Sequence, residues 1–371
     1  MIDENCNALF ALLRAGLWKK EVTLLPYGKI DYDLVLHLAE EQSIVGHVAV
    51  GLKHLVDTKP HKVVALQFIG RAVIIEQINQ AMNYFIGTTV EKMSRAGLKV
   101  LLLKGQGVAQ CYEHPLLRSC GDVDFFLSDE DYEKAKALLI PLATNVETEY
   151  VPNKHLGMTI GSWVVELHGS LRMGLPKNIN QVLDEIINDT FGNGNMRSWD
   201  NGSTRIFMLS KESDVVYVFV HFFNHFYKGG LGLKQICDWC RLLWTYRESI
   251  DVQMVESRIT RMGLVSEWKA FAAFAVDYLG MPVEAMPMFD DAKKWKRKAE
   301  RIKDFVMSVG SFGRNRDMNY FGKYPYLVRK CISMSQRVGD LVSHSRIFPL
   351  DSLRFFPRII FNGLRSAMRG E

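Results

Sequence analysis

Cysteine is scarce in this sequence, and the six cysteines follow no spacing typical of a disulfide framework. Small secreted domains that depend on disulfides carry many more cysteines for their length. The cysteines therefore indicate free thiols in a reducing compartment. Cys111 and Cys120 are interpreted as packing residues.

Long apolar runs are also missing. The most apolar stretch, residues 215–226, contains two histidines and an asparagine and is shorter than the roughly 20 residues that a membrane-spanning helix needs. Residues 1–5 are acidic and are not followed by the apolar segment and cleavage site of a secretory signal. Both absences predict a cytoplasmic protein without a transmembrane segment.

No strong charge of one sign marks the chain, whose 46 Lys and Arg and 41 Asp and Glu leave a formal net charge of +5. This mild excess suits anionic substrates but falls below what a dedicated nucleic-acid surface usually shows. Nucleic acid is therefore not the favoured partner, although the charge does not exclude it. With 371 residues, 48% of them hydrophobic, the chain has room for two or three packed units.

Helical periodicity dominates both ends of the chain. Residues 1–96 place apolar side chains at three- and four-residue steps, most clearly over 63–95. The same spacing returns from Lys211, so residues 206–371 are predicted to form a C-terminal helical region with a basic tail. No internal repeat or low-complexity linker separates these regions.

Strand patterns are confined to residues 97–205, which are predicted to form the catalytic core. A short apolar run over 98–103 and an alternating pattern over 122–127 predict two strands. Residues 155–160 and 163–168, joined by Gly161-Ser162, predict a hairpin. The predicted class is therefore α+β, a small mixed sheet with helices, flanked by N-terminal and C-terminal helical regions.

The second strand carries a pair of carboxylates. Asp122 and Asp124 are two residues apart, so their side chains lie on one face while Val123 and Phe125 face the core. Like charges held side by side repel each other, and a cation between them relieves this repulsion. Mg²⁺ suits the pair, because it takes one or two carboxylates and completes its shell with water and substrate phosphates.

The second strand of the predicted hairpin shows the same two-residue spacing of polar side chains. Glu166 and His168 share one face of its second strand. If that strand lies beside residues 122–127, Glu166 becomes a third carboxylate, acting either as general base or as a further metal ligand. His168 would then contact a phosphate or orient Glu166.

Positive charge and backbone amides for a triphosphate are available nearby. Lys104 and Gly105 stand where the first strand gives way to a helix, a place that favours anions. Arg118 reaches the same region through the loop before Asp122. Metal, acids and cations together are sufficient to accelerate nucleotidyl transfer by positioning and charge stabilisation.

These segments resemble a known family. Leu103-Lys104-Gly105, Leu117-Arg118, Gly121-Asp122-Val123-Asp124 and Val165-Glu166-Leu167-His168 are similar to the uncharacterised nucleotidyltransferase family of the DNA polymerase beta superfamily, as are His221, His225 and the segment 232–239. The resemblance covers about residues 63–244. It implies a mixed sheet, Mg²⁺ or Mn²⁺ on Asp122, Asp124 and Glu166, and a nucleoside triphosphate as donor.

The same resemblance does not identify the residues that bind the phosphates, and it does not identify the acceptor. The wider superfamily has a Gly-Ser or Gly-Gly pair about a dozen residues before the acids, whereas here Gly105-Gln106 lies further upstream. The acceptor is a small molecule, a glycan or a protein, and many relatives resemble proteins of bacterial surface-polysaccharide loci. A catalytically inactive nucleotide-binding or assembly protein on the same fold is the alternative.

Histidines and cysteines downstream allow two interpretations. His221 and His225 are one helical turn apart, and with Cys237 and Cys240 they mimic a zinc site. The apolar surroundings favour core packing for the cysteines. His221, His225 and Lys228 are instead expected to face the cleft and help hold the nucleotide, or to have plain packing or surface roles.

Two basic segments near the C-terminus also have two interpretations. The run over 293–303 is either a solvated helix face or a site for a polyanion or membrane. Residues 346–369 mix aromatic residues with arginines, which is compatible with peripheral membrane contact or with docking onto the domain.

Overall fold

A computed structural model describes residues 2–228, 230–311, 326–350 and 352–353. Helices come first along the chain, and they are α1 (Ile2–Trp18), α2 (Tyr32–Glu41), α3 (Val45–Leu52) and α4 (Lys62–Arg95). The central part holds the strands β1 (Val100–Leu103), β2 (Asp122–Leu127), β3 (Asn145–Val146), β4 (His155–Ile160), β5 (Trp163–His168), β6 (Met196–Asn201) and β7 (Thr204–Leu209). Between them lie the helices α5 (Gly105–Ala109), α6 (Asp129–Leu139) and α7 (Lys177–Phe191). The last part contains the helices α8 (Lys211–Lys228), α9 (Leu233–Tyr246), α10 (Val252–Met262), α11 (Val265–Leu279), α12 (Lys293–Val309) and α13 (Tyr326–Ile347).

The strands form one seven-stranded sheet in the order β3-β4-β5-β2-β1-β7-β6. The pairs β2–β5 and β1–β7 are parallel, and the other neighbours are antiparallel. The predicted α+β class with a mixed sheet is confirmed.

The sheet is wider than the sequence pattern indicated. The hairpin of β6 and β7 was not predicted, and β7 continues to Leu209, past residue 205. It turns at Gly202, whose φ of 62° suits glycine. The pattern is weak because β6 is an edge strand with no fully buried residue, so its sequence, Met-Arg-Ser-Trp-Asp-Asn, lacks an apolar alternation.

Each face of the sheet is covered by its own hydrophobic core. On one face, Val123, Phe125 and Leu127 pack with Met82, Ile86 and other residues of α4 and α6. On the opposite face, Phe126 and Leu103 belong to a larger core made by helices from both ends of the chain. Because Asp122 and Asp124 alternate with Val123 and Phe125, the acids lie on the face of this larger core.

Helices from the two ends of the chain pack directly against each other. The Phe10 ring of α1 contacts Tyr278 of α11 at a centroid distance of 5.6 Å. Trp18 Nε1 donates a 2.6 Å hydrogen bond to the Leu279 carbonyl. The helices before and after the sheet thus share one core.

No helix in the described ranges is long and apolar enough to cross a bilayer. The basic run lies on α12, where Trp295, Ala299 and Ile302 face the core and most of the charged side chains face solvent. Of the predicted membrane-contacting segment over 346–369, residues 354–369 lie outside the described residues.

Candidate active site

The register of two parallel strands brings the predicted acids together. In the pairing of β2 with β5, Asp124 lies opposite Glu166, and Phe126 lies opposite His168. Carboxylate oxygens of Asp122, Asp124 and Glu166 all lie within 4.8 Å of one another. The hairpin strand therefore lies beside the Asp-x-Asp strand, which is the condition under which Glu166 becomes a third carboxylate.

The electrostatics of these acids suit a cation. The charge of Asp124 and, to a smaller extent, burial raise the pKa of Asp122. Asp124 is only 1% exposed, and a buried carboxylate is stable only when it is paired. Three oxygens of this kind match the hard-donor preference of Mg²⁺ or Mn²⁺, so the residues fit such an ion.

Lys104 supplies a positive charge directly beside the acids. Its Nζ lies 3.0 Å from Asp124 Oδ1 and 3.0 Å from His221 Nε2. Burial alone would lower the pKa of Lys104, but the neighbouring charge of Asp124 outweighs it and raises the pKa above the usual value. The ammonium group is therefore charged at neutral pH and neutralises part of the acid cluster.

Two histidines of the hairpin contact the same acids. His168 Nε2 is 2.9 Å from Asp124 Oδ1 and 3.5 Å from Glu166 Oε2. His155 Nε2 is 3.1 Å from Glu166 Oε2. Sequence reasoning missed His155, although its place directly opposite His168 follows from the predicted hairpin register.

These contacts shift the pKa values of Glu166 and His168. Burial opposes ionisation of Glu166, but hydrogen bonds with His155 and His168 outweigh burial and place its pKa far below the usual range. Burial would lower the pKa of His168, yet its hydrogen bonds to Asp124 and Glu166 raise it. Glu166 is therefore ionised at neutral pH.

A cavity of about 450 Å³ opens beside the acids. Its wall is rich in cationic and imidazole groups, and these are Lys104, His155, His168, Arg172, His221, His225 and Lys228. His221 Nε2 and His225 Nε2 are 3.3 Å apart on α8. Burial, followed by the charge of Lys104, lowers the pKa of His221 well below 6.5 and that of His225 to about 4.

The sequence was compared with known families and proteins. The sequence model of a family described as uncharacterised nucleotidyltransferases matches residues 28–280. The chain belongs to this family. A crystal structure of an antigenic nucleotidyltransferase-like protein from Paracoccidioides brasiliensis is similar over 56% of this chain and 93% of that chain, with 9% sequence identity and a TM-score of 0.32. Comparison with curated proteins finds no match.

Arg118 forms a buried ion pair with another residue of the chain, Asp238. Arg118 Nε and Nη2 donate hydrogen bonds of 2.8 and 2.7 Å to the two carboxylate oxygens of Asp238. The Tyr112 hydroxyl donates a further 2.8 Å bond to Asp238 Oδ1. The pair is buried, and a role of Arg118 at substrate phosphates stays a prediction.

Gly105 begins α5, which spans only Gly105–Ala109. So short a helix carries little dipole, and the expected helix N-terminal anion site is correspondingly weak. The φ of Gly105 is 46°, and an added Cβ would lie 3.3 Å from Cys120 Sγ. The glycine thus lets the chain turn closely past the loop that leads to Asp122.

The cysteines and histidines that mimic a zinc site occupy different surroundings. Cys237 and Cys240 are fully buried in the core, whereas His221 and His225 line the cavity. Within the described residues, the groups of three or more possible metal ligands are Asp122–Asp124–Glu166 and His155–Glu166–His168. Neither of these contains a cysteine.

Lys234 of α9 is a further cation that sequence reasoning did not assign to the site. Together with Asp122, Asp124 and Lys104 it lines a second, smaller cavity of about 50 Å³. Burial and the charge of Arg118 lower the pKa of Lys234. Lys234 lies in the segment 232–239 that resembles the nucleotidyltransferase family. No local sequence pattern, however, indicates that its side chain faces the acids.

Proposed function

We propose that the protein is a metal-dependent nucleotidyltransferase that moves a nucleoside monophosphate from a nucleoside triphosphate to a hydroxyl or phosphate acceptor. One observation carries the proposal: the β2–β5 register gathers Asp122, Asp124 and Glu166 beside Lys104 at the edge of a cation-lined cavity. In the reaction, a bond forms between the acceptor oxygen and the α-phosphorus, and the bond to the β-phosphate oxygen breaks. Pyrophosphate is the leaving group, and the proton of a hydroxyl acceptor passes to water.

Asp122, Asp124 and Glu166 would hold Mg²⁺ or Mn²⁺. A metal held there would supply positive charge that offsets the negative charge developing on the phosphates during transfer. The low pKa of Glu166 favours its role as a ligand over its role as a general base, because a base works best when its pKa lies near the working pH.

The remaining residues would position the triphosphate. Lys104 lies between Asp124 and His221, where its charge reaches both the acids and the cavity. His168, His221, His225 and Lys228 line the cavity that accepts the nucleotide in this proposal. The acceptor, whether small molecule, glycan or protein, would approach the same acids.

The test compares wild-type protein with the Asp122→Asn/Asp124→Asn variant, using Mg²⁺, an acceptor pool and γ-labelled nucleoside triphosphates, whose label leaves with the pyrophosphate. Loss of the acid pair should lower pyrophosphate release by at least about 100-fold, because removing a single preorganised charge typically costs that much in rate. Asp200→Asn is the matched control, because Asp200 is an ion-paired strand carboxylate on the edge strand β6, away from the central strand β2 that carries the acids.

Three outcomes are informative. Release that persists in the double variant would show that these acids are not the catalytic ones. Wild-type protein that binds neither nucleotide nor metal would contradict the proposal. Nucleotide binding without any pyrophosphate release would favour the inactive nucleotide-binding protein.

A further inference from the structure

The β4–β5 hairpin places two imidazoles and one carboxylate on a single face. His155 lies directly opposite His168 in the antiparallel pairing, and Glu166 lies opposite Gly157. Side chains two residues apart on a strand share a face, so Glu166 and His168 point to the same side as His155. The three side chains therefore come from one continuous element of 155–168, which gives them a fixed relative position.

Their donor atoms are close enough to share one ion. The Nε2 atoms of His155 and His168 lie 3.1 and 3.5 Å from Glu166 Oε2, and all three donors lie within 4.8 Å of one another. With metal–ligand bonds of about 2.0–2.2 Å, donors in a tetrahedral site are separated by roughly 3.3–3.6 Å. The hairpin thus needs only small side-chain movements to reach coordination distance.

The donor types select a different metal from the one suited to the acids. Imidazole nitrogen favours first-row transition metals, whereas Mg²⁺ prefers oxygen donors and keeps its water. The group is also accessible, since its members line the open cavity and the His155 side chain is 33% exposed. Open coordination positions facing a cavity are typical of catalytic rather than structural metal sites.

We propose that His155, His168 and Glu166 bind a divalent first-row transition metal ion, at a site adjacent to the oxygen-only group of Asp122 and Asp124. Glu166 belongs to both sets of ligands, while His155 belongs to this one alone. The site goes beyond the proposed nucleotide transfer and does not require it. An ion here would add positive charge where the triphosphate enters the cavity.

The test uses Co²⁺ as probe, on full-length protein previously stripped of metals with a chelator. Wild-type protein should develop visible d–d absorption on Co²⁺ addition, which excess Zn²⁺ abolishes and excess Mg²⁺ does not. Imidazoles that bind through Nε2 keep a proton on Nδ1. Proton NMR of the Co²⁺ protein should therefore show two paramagnetically shifted, exchangeable resonances.

Variants separate this site from the acid group. His155→Ala should lose one shifted resonance and weaken Co²⁺ binding by at least about 10-fold, since even indirect ligand partners change metal affinity by 10- to 100-fold. His155→Asn serves as the second variant if the alanine variant does not fold. Asp122→Asn should retain both resonances while losing Mg²⁺ binding, so failure of the proposed function is distinguishable from failure of this site.

His37→Ala is the matched control. His37 Nε2 lies 3.1 Å from Glu41 Oε1, the same separation as in the His155–Glu166 pair, but on the exposed surface of α2. This control should leave the spectra unchanged. The proposal is overturned if wild-type protein binds Co²⁺ no more tightly than Mg²⁺, or if His155→Ala keeps the full spectrum and affinity.

Discussion

Lys104 has a backbone conformation that is unusual for a residue with a Cβ. Its φ is 47°, and it is followed by Gly105 with φ 46°. Such conformations cost of the order of 1–3 kcal/mol and persist where the surroundings over-determine them. Here the turn directs the ammonium group to Asp124 and His221, so the strain coincides with the placement of a charge directly beside the acids.

The buried Arg118–Asp238 pair yields a prediction at the residue scale. Arg118→Met should lower the free energy of unfolding by about 3–5 kcal/mol, because it leaves Asp238 charged and buried. The double variant Arg118→Met/Asp238→Leu should be less destabilised than Arg118→Met, since no unpaired charge remains. Urea denaturation of both variants measures the difference. A double variant at least as destabilised as Arg118→Met would contradict a coupled pair.

Individual site residues were predictable only where local spacing fixes them. Asp122 and Asp124, like Glu166 and His168, follow from the two-residue period of a strand. The ion pair of Arg118 with Asp238 could not be predicted, because 120 residues separate the two and no local pattern encodes that contact. The position of His155 opposite His168 could be predicted from the hairpin register. Its contact with Glu166 becomes clear only when Glu166 is placed on the neighbouring strand.

At the scale of elements, the strands around the site match their sequence patterns best. The bounds of β2, β4 and β5 are those predicted, because clear alternation and a Gly161-Ser162 turn define them. The helix predicted after β1 is only five residues long and ends at Ala109, a length that the sequence pattern did not indicate. Helix α4 exposes Leu66, Ile69 and Val73, so its apolar pattern predicted the helix correctly without revealing which face is buried.

Close contact between α1 and α3 yields a prediction at this scale. A Cβ at Gly51 of α3 would overlap the Leu12 carbonyl of α1, and a Cβ at Gly16 would overlap the His47 carbonyl. Gly51→Ala should therefore lower the free energy of unfolding by about 1–3 kcal/mol through overpacking.

Gly70→Ala on α4 is the control for that prediction. An added Cβ there meets nothing within 4 Å, so the substitution should raise the free energy of unfolding by roughly 0.5–1 kcal/mol through better helix propensity. Denaturant titration measures the free energy of unfolding of the Gly51→Ala and Gly70→Ala variants. Similar effects at the two positions would show that the α1–α3 contact is not tight.

At the scale of the whole molecule, buried histidines predict a pH dependence of stability. Burial and the charge of Lys104 lower the pKa of His225 to about 4, and burial lowers that of His47 to about 3. Unfolded histidines titrate near 6.5, so the unfolded state binds more protons between about pH 4 and 6.5. The contribution of these residues to the free energy of unfolding therefore falls as pH drops through this window.

His168 acts in the opposite direction. Burial would lower its pKa, but its hydrogen bonds to Asp124 and Glu166 raise it, so its stabilising contribution is present below pH 6.5 and is lost as pH rises through its raised pKa. His225→Gln should flatten the profile between pH 4 and 6.5, whereas His37→Gln on the surface should not. Thermal denaturation across this range measures the slopes, and an unchanged slope in His225→Gln would contradict the assignment.

The side-by-side position of Asp124 and Glu166 has a consequence for changes in chain length. Inserting or deleting one residue within β2 or β5 would turn every following side chain of that strand to the opposite face. Acids would then enter the apolar core, and Phe125 or Leu167 would replace them at the cavity. Loops outside these strands do not share this restriction, so length variation among natural relatives is expected between β2 and β4 and after β5, with β2 and β5 themselves constant in length.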